Sequence, residues 1–321
     1  RTHRPVLAVA ALLLGSFLVG LDTRLLSIGL ADLRGHLGLS FDEGSWLATV
    51  ATAPQILLAP MVPWLATVFG VRRVLVGPSL IYAALSLLIP CADDYATLLA
   101  LHFMRGLLLG VFISAAIMLI FRNMSMRWWL PCLAIYVFRL PFAFNTGVSL
   151  VGFYVQEVGW EWIYWQSAMI TPVIALLTWL GAPREHANRD LLAKADWGGM
   201  ALLGAGLALI YAGLDQGNRL DWFESGFVIS ALACGGLLVV AFLANEAVVR
   251  EPWASPRAIF SRNLGLGLSM ILVYSTTSLS NASLVPNFLI SVGRLRPEQI
   301  GEMLFFYGAL PALVILPALV Y

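Results

Sequence analysis

Charge is what this sequence lacks. Only 12% of its 321 residues are Asp, Glu, Lys or Arg, while 60% are hydrophobic; a soluble globular chain carries about 25% and 45–50%. So few charges cannot cover a water-facing surface of this size. That excludes a cytosolic enzyme, a nucleic-acid-binding module and a disordered regulator. The sign balance is equally bare: 19 basic against 18 acidic residues leave a net charge of +1, which gives no bulk attraction to polyanions. Cysteine is scarce too. Cys91, Cys132 and Cys234 lie far apart with no CxxC spacing, and His3, His36, His102 and His186 are scattered, so neither a disulfide framework nor a metal site is expected.

What the sequence has instead is long apolar runs, with a mean hydropathy of +0.85. A membrane helix needs about 20 mostly apolar residues. Ten stretches qualify: 6–30, 45–69, 74–92, 95–121, 129–152, 162–181, 198–215, 226–245, 264–291 and 300–321. No gap between them exceeds about 18 residues, which leaves no room for a folded soluble domain. The expected fold class is therefore an all-α polytopic membrane protein with about 10 transmembrane helices. The first stretch is long and carries Asp22 and Arg24, which argues against a cleaved signal peptide.

The basic residues orient the spans. With a cytoplasmic N-terminus, twelve fall inside: Arg1, Arg4, Arg72, Arg73, Arg122, Arg127, Arg184, Arg189, Lys194, Arg250, Arg257 and Arg262. Arg34, Arg219, Arg294 and Arg296 fall outside, among mostly acidic loops, and an even span count returns the C-terminal end to the inside. The segments 182–199 and 245–263 are the longest polar stretches. They divide the chain into a six-helix N-terminal half (1–181), a cytoplasmic linker (182–197), two additional helices (198–246) and the start of a C-terminal half (247–321). The chain stops at Tyr321 within an apolar run, so the expectation is the front part of a longer protein.

Four charges remain inside spans: Asp22, Arg24, Arg105 and Arg139. At membrane depth such groups face a cavity or a partner. Asp22 is placed in the outer half of the first span, near the interface. Arg24 is two residues on, about 200° round the helix, so the two cannot share a face closely. One reading makes Asp22 a protonatable carboxylate whose pKa the arginines set, with the arginines also able to bind an anionic group. The other makes these charges a structural salt bridge or arginines snorkelling to headgroups. His102, one turn before Arg105, reads as a packed side chain. Pro54, Pro60, Pro63, Pro131, Pro141, Pro311 and Pro317 mark kinks. Gly147 and Gly152 would admit a neighbouring backbone. Trp128, Trp129, Trp160, Trp162, Tyr164, Trp165, Trp222 and Phe223 read as an aromatic belt, and the sequons at Asn123 and Asn281 as chance matches.

Several motifs recur in order along the chain. LDTRLLSIGL (21–30) leads to Trp46, PWLATVFGVRR occupies 63–73, Arg105 lies in LHFMRGLLLG, and GVSLVG spans 147–152. WEWIYWQSAMIT (160–171), LDQGNRLDWFES (214–225), IFSRN (259–263) and LVPNFL (284–289) follow. With this set the chain resembles the fourteen-helix drug:proton antiporter branch of the major facilitator superfamily. Against the family pattern, Arg24 replaces a small residue, Thr67 an Asp of the gate loop, and Val148 and Val151 a Pro and a Gly of the antiporter motif.

The resemblance implies two six-helix halves around a midplane cavity, with two helices inserted between them and 10 of 14 helices present. It implies proton-coupled export of amphipathic organic compounds, with a major facilitator importer or uniporter as the alternative and an integral-membrane transferase as a remote one. Asp22 and Arg105 would couple protons. Arg24 and Arg139 would charge the cavity, Arg139 biasing it toward anionic or zwitterionic substrates. Gly70, Arg72 and Arg73 would serve the cytoplasmic gate, and Gly147 and Gly152 the helix packing of the antiporter motif. The implied partners are a small-molecule substrate, protons, the lipid bilayer and, as in some relatives, a periplasmic adaptor protein, with no nucleic acid, cofactor or metal. The implied location is the bacterial inner membrane.

Overall fold

The computed structural model describes residues 4–249, 252–253, 261–279, 284–311 and 314. Arg1, Arg250, Arg257, Pro317 and the sequon at Asn281 lie outside them. Helix α1 (Pro5–Leu37) opens on a proline, whose fixed φ and missing N–H suit a first turn. It ends at Gly38, whose φ of 65° closes the left-handed cap. Asp32 and Arg34 do not break it, so α1 runs seven residues past the expected end.

Ser40 and Glu43 form a capping box that starts α2 (Phe41–Leu58). Pro60 and Pro63 then force a 3₁₀ turn, Ala59–Met61, before α3 (Val62–Phe69). Next come α4 (Val71–Leu88), α5 (Tyr95–Asn123) and α6 (Met126–Phe153). A π-helical turn, Tyr154–Val158, continues α6 before α7 (Trp162–Gly181). Asp94 caps α5, and hydrogen bonds from the Thr97 side chain and amide lower its carboxyl pKa. After a short α8 (Arg189–Ala193) follow α9 (Trp197–Gly217) and α10 (Gly226–Val248).

Among the described residues eight helical segments are long and apolar enough to span a membrane. They correspond to the first eight expected spans. The ninth expected span is represented by α11 (Arg262–Leu279) and α12 (Val285–Ser291), with 280–283 outside the description. The tenth begins as α13 (Pro297–Leu304) and a π-helical turn to Ala309, and most of its remainder also lies outside. No strand occurs among the described residues.

Helix α1 is the hub, packing on α5, α6 and α7; α4 packs on α5 and α7, and α2 on α5. The α9–α10 pair attaches to this bundle through α2, and α13 through α6. The buried apolar residues form two clusters. One holds Ala8–Val19 of α1 with Leu75 and Tyr82 of α4 and Leu109–Ile120 of α5. The other holds Leu25–Leu33 with Ile89, Leu98 and Ile163. Between them, on α1, α4, α5 and α7 alike, sits a polar layer.

The α9 attachment is itself polar. Gln216 is 1% exposed, and its Nε2 donates to Thr49 Oγ1 and, at 3.2 Å, to the Ser45 carbonyl. The Thr49 hydroxyl donates to Asp215 Oδ2. Arg219 adds an ion pair to Asp42, whose side chain is 71% exposed. Removing one partner of a buried hydrogen bond costs about 1–3 kcal/mol, whereas an exposed ion pair contributes little. Gln216→Leu is therefore expected to lower the unfolding midpoint of the purified protein, and Asp42→Asn to leave it unchanged, in a thermal unfolding series.

Candidate functional site

The polar layer centres on Asp22, which is 3% exposed. It lies beside Leu21, the middle residue of α1. The helix runs on to the Gly38 cap, so Asp22 stands at the middle of α1 along the chain. Arg105 of α5 reaches Asp22 Oδ2 through Nη2 at 2.7 Å, with both side chains buried. The guanidinium also donates through Nε to Ser86 Oγ of α4 at 2.9 Å and through Nη2 to Ser167 Oγ of α7 at 3.2 Å. Ser167 donates to Asp22 Oδ1 at 2.5 Å, and the Tyr82 hydroxyl donates to Asp22 Oδ2. The carboxylate therefore accepts from three donors on three helices.

The arginine is held face-on as well as edge-on. Its Cζ stands 4.6 Å from the Tyr82 ring centre and 5.2 Å from that of Tyr164. Tyr164 in turn is hydrogen-bonded to His102 Nε2 at 2.9 Å, while His102 Nδ1 lies 2.8 Å from the Leu98 carbonyl. A carbonyl only accepts, so Nδ1 carries the proton and Nε2 accepts from the tyrosine. His102 is packed, as the sequence suggests, but Tyr164 is fully buried and does not belong to the aromatic belt. Its place beside Arg105 takes it into the core.

Such a cluster ties α1 to α4, α5 and α7 through one carboxylate, and separating its two charges in low dielectric is costly. A void of about 20 Å³, bounded by Asp22, Arg105, Thr23 and Thr52, adjoins the pair; that is room for about one water.

A larger cavity of about 310 Å³ begins where the void ends, since Thr23 and Thr52 line both. Arg24 of α1 and Arg139 of α6 line it together with Gln55, Ile113 and Phe144. The 200° separation of Asp22 and Arg24 therefore gives α1 one face for the carboxylate cluster and another for this cavity. Gly147 lies against Arg24: a Cβ there would come 2.6 Å from Arg24 Cγ. The close neighbour is thus an arginine stem, not the backbone that the spacing suggests. Gly152 lies near the end of α6.

At the opposite end of α4, Gly70 takes φ 84° and turns the chain from α3 into α4. Gly70, Arg72 and Arg73 line a pocket of about 510 Å³ with Trp179, Arg184, Glu185 and His186. Arg72 stacks 3.5 Å from the Trp179 ring centre. Thr67 stands where the related loop carries an Asp, and the nearby carboxylate is Glu185, paired with Arg122 at 3.1 Å. The Asn188 amide binds the Val68 carbonyl at 2.8 Å. The loop is thereby tied to the segment after α7.

Comparison with known proteins identifies the family. The Major Facilitator Superfamily profile matches residues 12–321. The chain belongs to the major facilitator superfamily. It is accordingly an integral multi-pass membrane protein of a transporter family, not an enzyme. The multidrug export protein EmrB of Haemophilus influenzae is 25% identical over 289 residues, covering 89% of this chain and 56% of that protein. EmrB of Escherichia coli K12 is 24% identical over 270 residues, covering 84% and 52%. The colistin resistance protein EmrB of Acinetobacter baumannii is 23% identical over 308 residues, covering 93% and 58%. The motif resemblance to the drug:proton antiporter branch is borne out by these relatives. The chain spans about half the length of the relatives it matches.

Within this major facilitator chain, sequence reading found the charged members of both sites and missed the neutral ones. Tyr82 and Ser86 are four residues apart, Tyr164 and Ser167 three, and His102 and Arg105 three, each pair on one helix face. Paired hydroxyls at helical spacing inside apolar spans were the available signal.

Proposed function

We propose that the protein is a secondary active transporter that exports amphipathic organic compounds in exchange for protons, with Asp22 and Arg105 as the coupling pair. The observation that carries this reading is the buried Asp22–Arg105 pair, joined through Thr23 and Thr52 to the cavity of Arg24 and Arg139. A substrate entering that cavity presses on α1, α2 and α6. Movement of α1 against α5 closes the ion pair and displaces the proton from the carboxylate, and the pair reopens to protonation once substrate has left. Protonation on one side and release on the other then tie substrate movement to proton movement.

In this reading the N-terminus is cytoplasmic, as the basic bias suggests, and the membrane is the bacterial inner membrane. Residues 1–181 form the N-terminal half, 198–246 two additional helices, and 247–321 the start of the second half. The Gly70, Arg72 and Arg73 loop sits at the cytoplasmic gate. The cation stack on Trp179 and the Arg122–Glu185 pair support that role, because both must shift if α4, α5 and α7 splay at this end.

The test is transport by the intact protein in proteoliposomes under an imposed pH gradient. Substrate is expected to move against the proton gradient and to reverse direction when the gradient is reversed. Flux in the same direction as protons would favour an importer, and flux indifferent to the gradient a uniporter.

A further inference from the structure

We propose that Arg24 and Arg139 form a subsite for the headgroup of an amphipathic anion, a carboxylate on an apolar body, inside the 310 Å³ cavity. This deepens the transport reading by naming the charge class of the substrate. It rests on that reading only for the word substrate; the binding site stands on its own geometry.

The two guanidiniums come from different helices and line one cavity, and among the described residues no Asp or Glu lines it. Neither arginine is in an ion pair among the described residues, and the Nε of each is buried without a hydrogen-bond partner. Each guanidinium instead has an aromatic neighbour. Arg24 Cζ lies 5.3 Å from the Phe144 ring centre and Arg139 Cζ 4.4 Å from that of Tyr136. A cation over a ring uses its face and leaves the in-plane N–H donors free. Those donors form the fork that matches a carboxylate.

Charge then selects the ligand. Two positive groups, with no acid beside them among the described residues, repel a cationic amphiphile and offer the ammonium of a zwitterion no partner. The remaining wall, Ile56, Ile113, Leu140 and Phe144, suits an apolar body, and the volume falls in the range of about 300–1,000 Å³ usual for small-molecule sites. Gly147 is a positioning residue. Its missing side chain leaves space for the Arg24 stem, so Gly147→Ala should displace Arg24 without removing a charge.

The test is equilibrium binding of radiolabelled decanoate to the intact protein in phosphatidylcholine nanodiscs, with no pH gradient. Arg24→Gln and Arg139→Gln are each expected to weaken binding about 10- to 100-fold, the effect of losing a hydrogen bond to a charged group. Arg24→Lys and Gly147→Ala should give smaller losses. Decyltrimethylammonium should compete poorly with decanoate in every variant. Removing a half-buried, unpaired charge should leave unfolding midpoints unchanged or raised, which separates lost binding from lost folding. Doping the nanodiscs with phosphatidylglycerol distinguishes the source of the anion: arginine-dependent displacement of decanoate would support the subsite and identify a lipid headgroup as its occupant. Decanoate binding unchanged in the Arg24→Gln/Arg139→Gln double variant, or equal affinity for the cationic amphiphile, would overturn the proposal. Because the readout is binding, a failure of proton coupling leaves it standing, and its failure leaves proton coupling untested by the same data.

Discussion

Asp22→Asn should reduce gradient-driven transport to the level of protein-free vesicles and at the same time destabilise the protein. Both effects come from one geometry. Arg105 is buried at 6% exposure, and Asp22 is its ion-pair partner among the described residues. Neutralising Asp22 leaves a guanidinium in low dielectric with only neutral acceptors, Ser86, Ser167 and the new amide oxygen. Breaking a buried pair from one side costs about 3–5 kcal/mol. The double variant Asp22→Asn/Arg105→Gln removes both charges and should recover most of that stability. It should not recover coupling, because no titratable carboxylate remains. The pair of results separates a structural salt bridge from a coupling one. A double variant that is stable and still drives substrate against its gradient would show the bridge to be structural. Asp22→Glu keeps the charge but lengthens the side chain in a packed site, and is expected to retain partial coupling.

Gly106→Ala should be the most destabilising single-methyl change in the bundle, by about 1–3 kcal/mol. Gly106 adjoins Arg105 on α5, where that helix crosses α2. A Cβ at Gly106 would lie 2.4 Å from the Ala51 carbonyl oxygen, and one at Gly110 would lie 2.6 Å from that of Gln55. The obstacle in both cases is backbone, which cannot rotate away, so the two helices must separate. Ala51, Thr52 and Gly106 also bound the small void beside the carboxylate, so separation would enlarge that void and loosen the Asp22 site. Gly236→Ala on α10 is the control. Nothing lies within 4 Å of its added methyl, and the gain in helix propensity of up to about 1 kcal/mol should leave it neutral or slightly stabilised. Thermal unfolding of the two variants side by side checks the contrast.

The charged half of the site was legible in the sequence because a charge within an apolar run is rare and costly. Asp22, Arg24, Arg105 and Arg139 stand out on that ground alone, and helical geometry correctly assigned Asp22 and Arg24 to different faces. The hydroxyl half was not legible. Tyr82, Ser86, Tyr164 and Ser167 resemble ordinary residues of apolar helices, and their contacts with Asp22 and Arg105 join positions 19 to 145 residues apart. Pairing across that distance is a property of how α1, α4, α5 and α7 meet. The end of α1 was misplaced for a local reason: Asp32 and Arg34 look like a loop, yet they remain helical until Gly38 supplies the left-handed cap. Gly147 shows the same limit. Its spacing announced a close neighbour, but only packing identified the neighbour as Arg24.

Proton release on ligand binding is the most direct measurement of coupling through Asp22. Substrate is added to the purified, intact protein in weakly buffered solution with a pH indicator. If binding at the Arg24 and Arg139 cavity closes the Asp22–Arg105 pair, wild type should release up to about one proton per chain, and Asp22→Asn none. Equal release from wild type and Asp22→Asn, with substrate bound by both, would contradict coupling through this carboxylate.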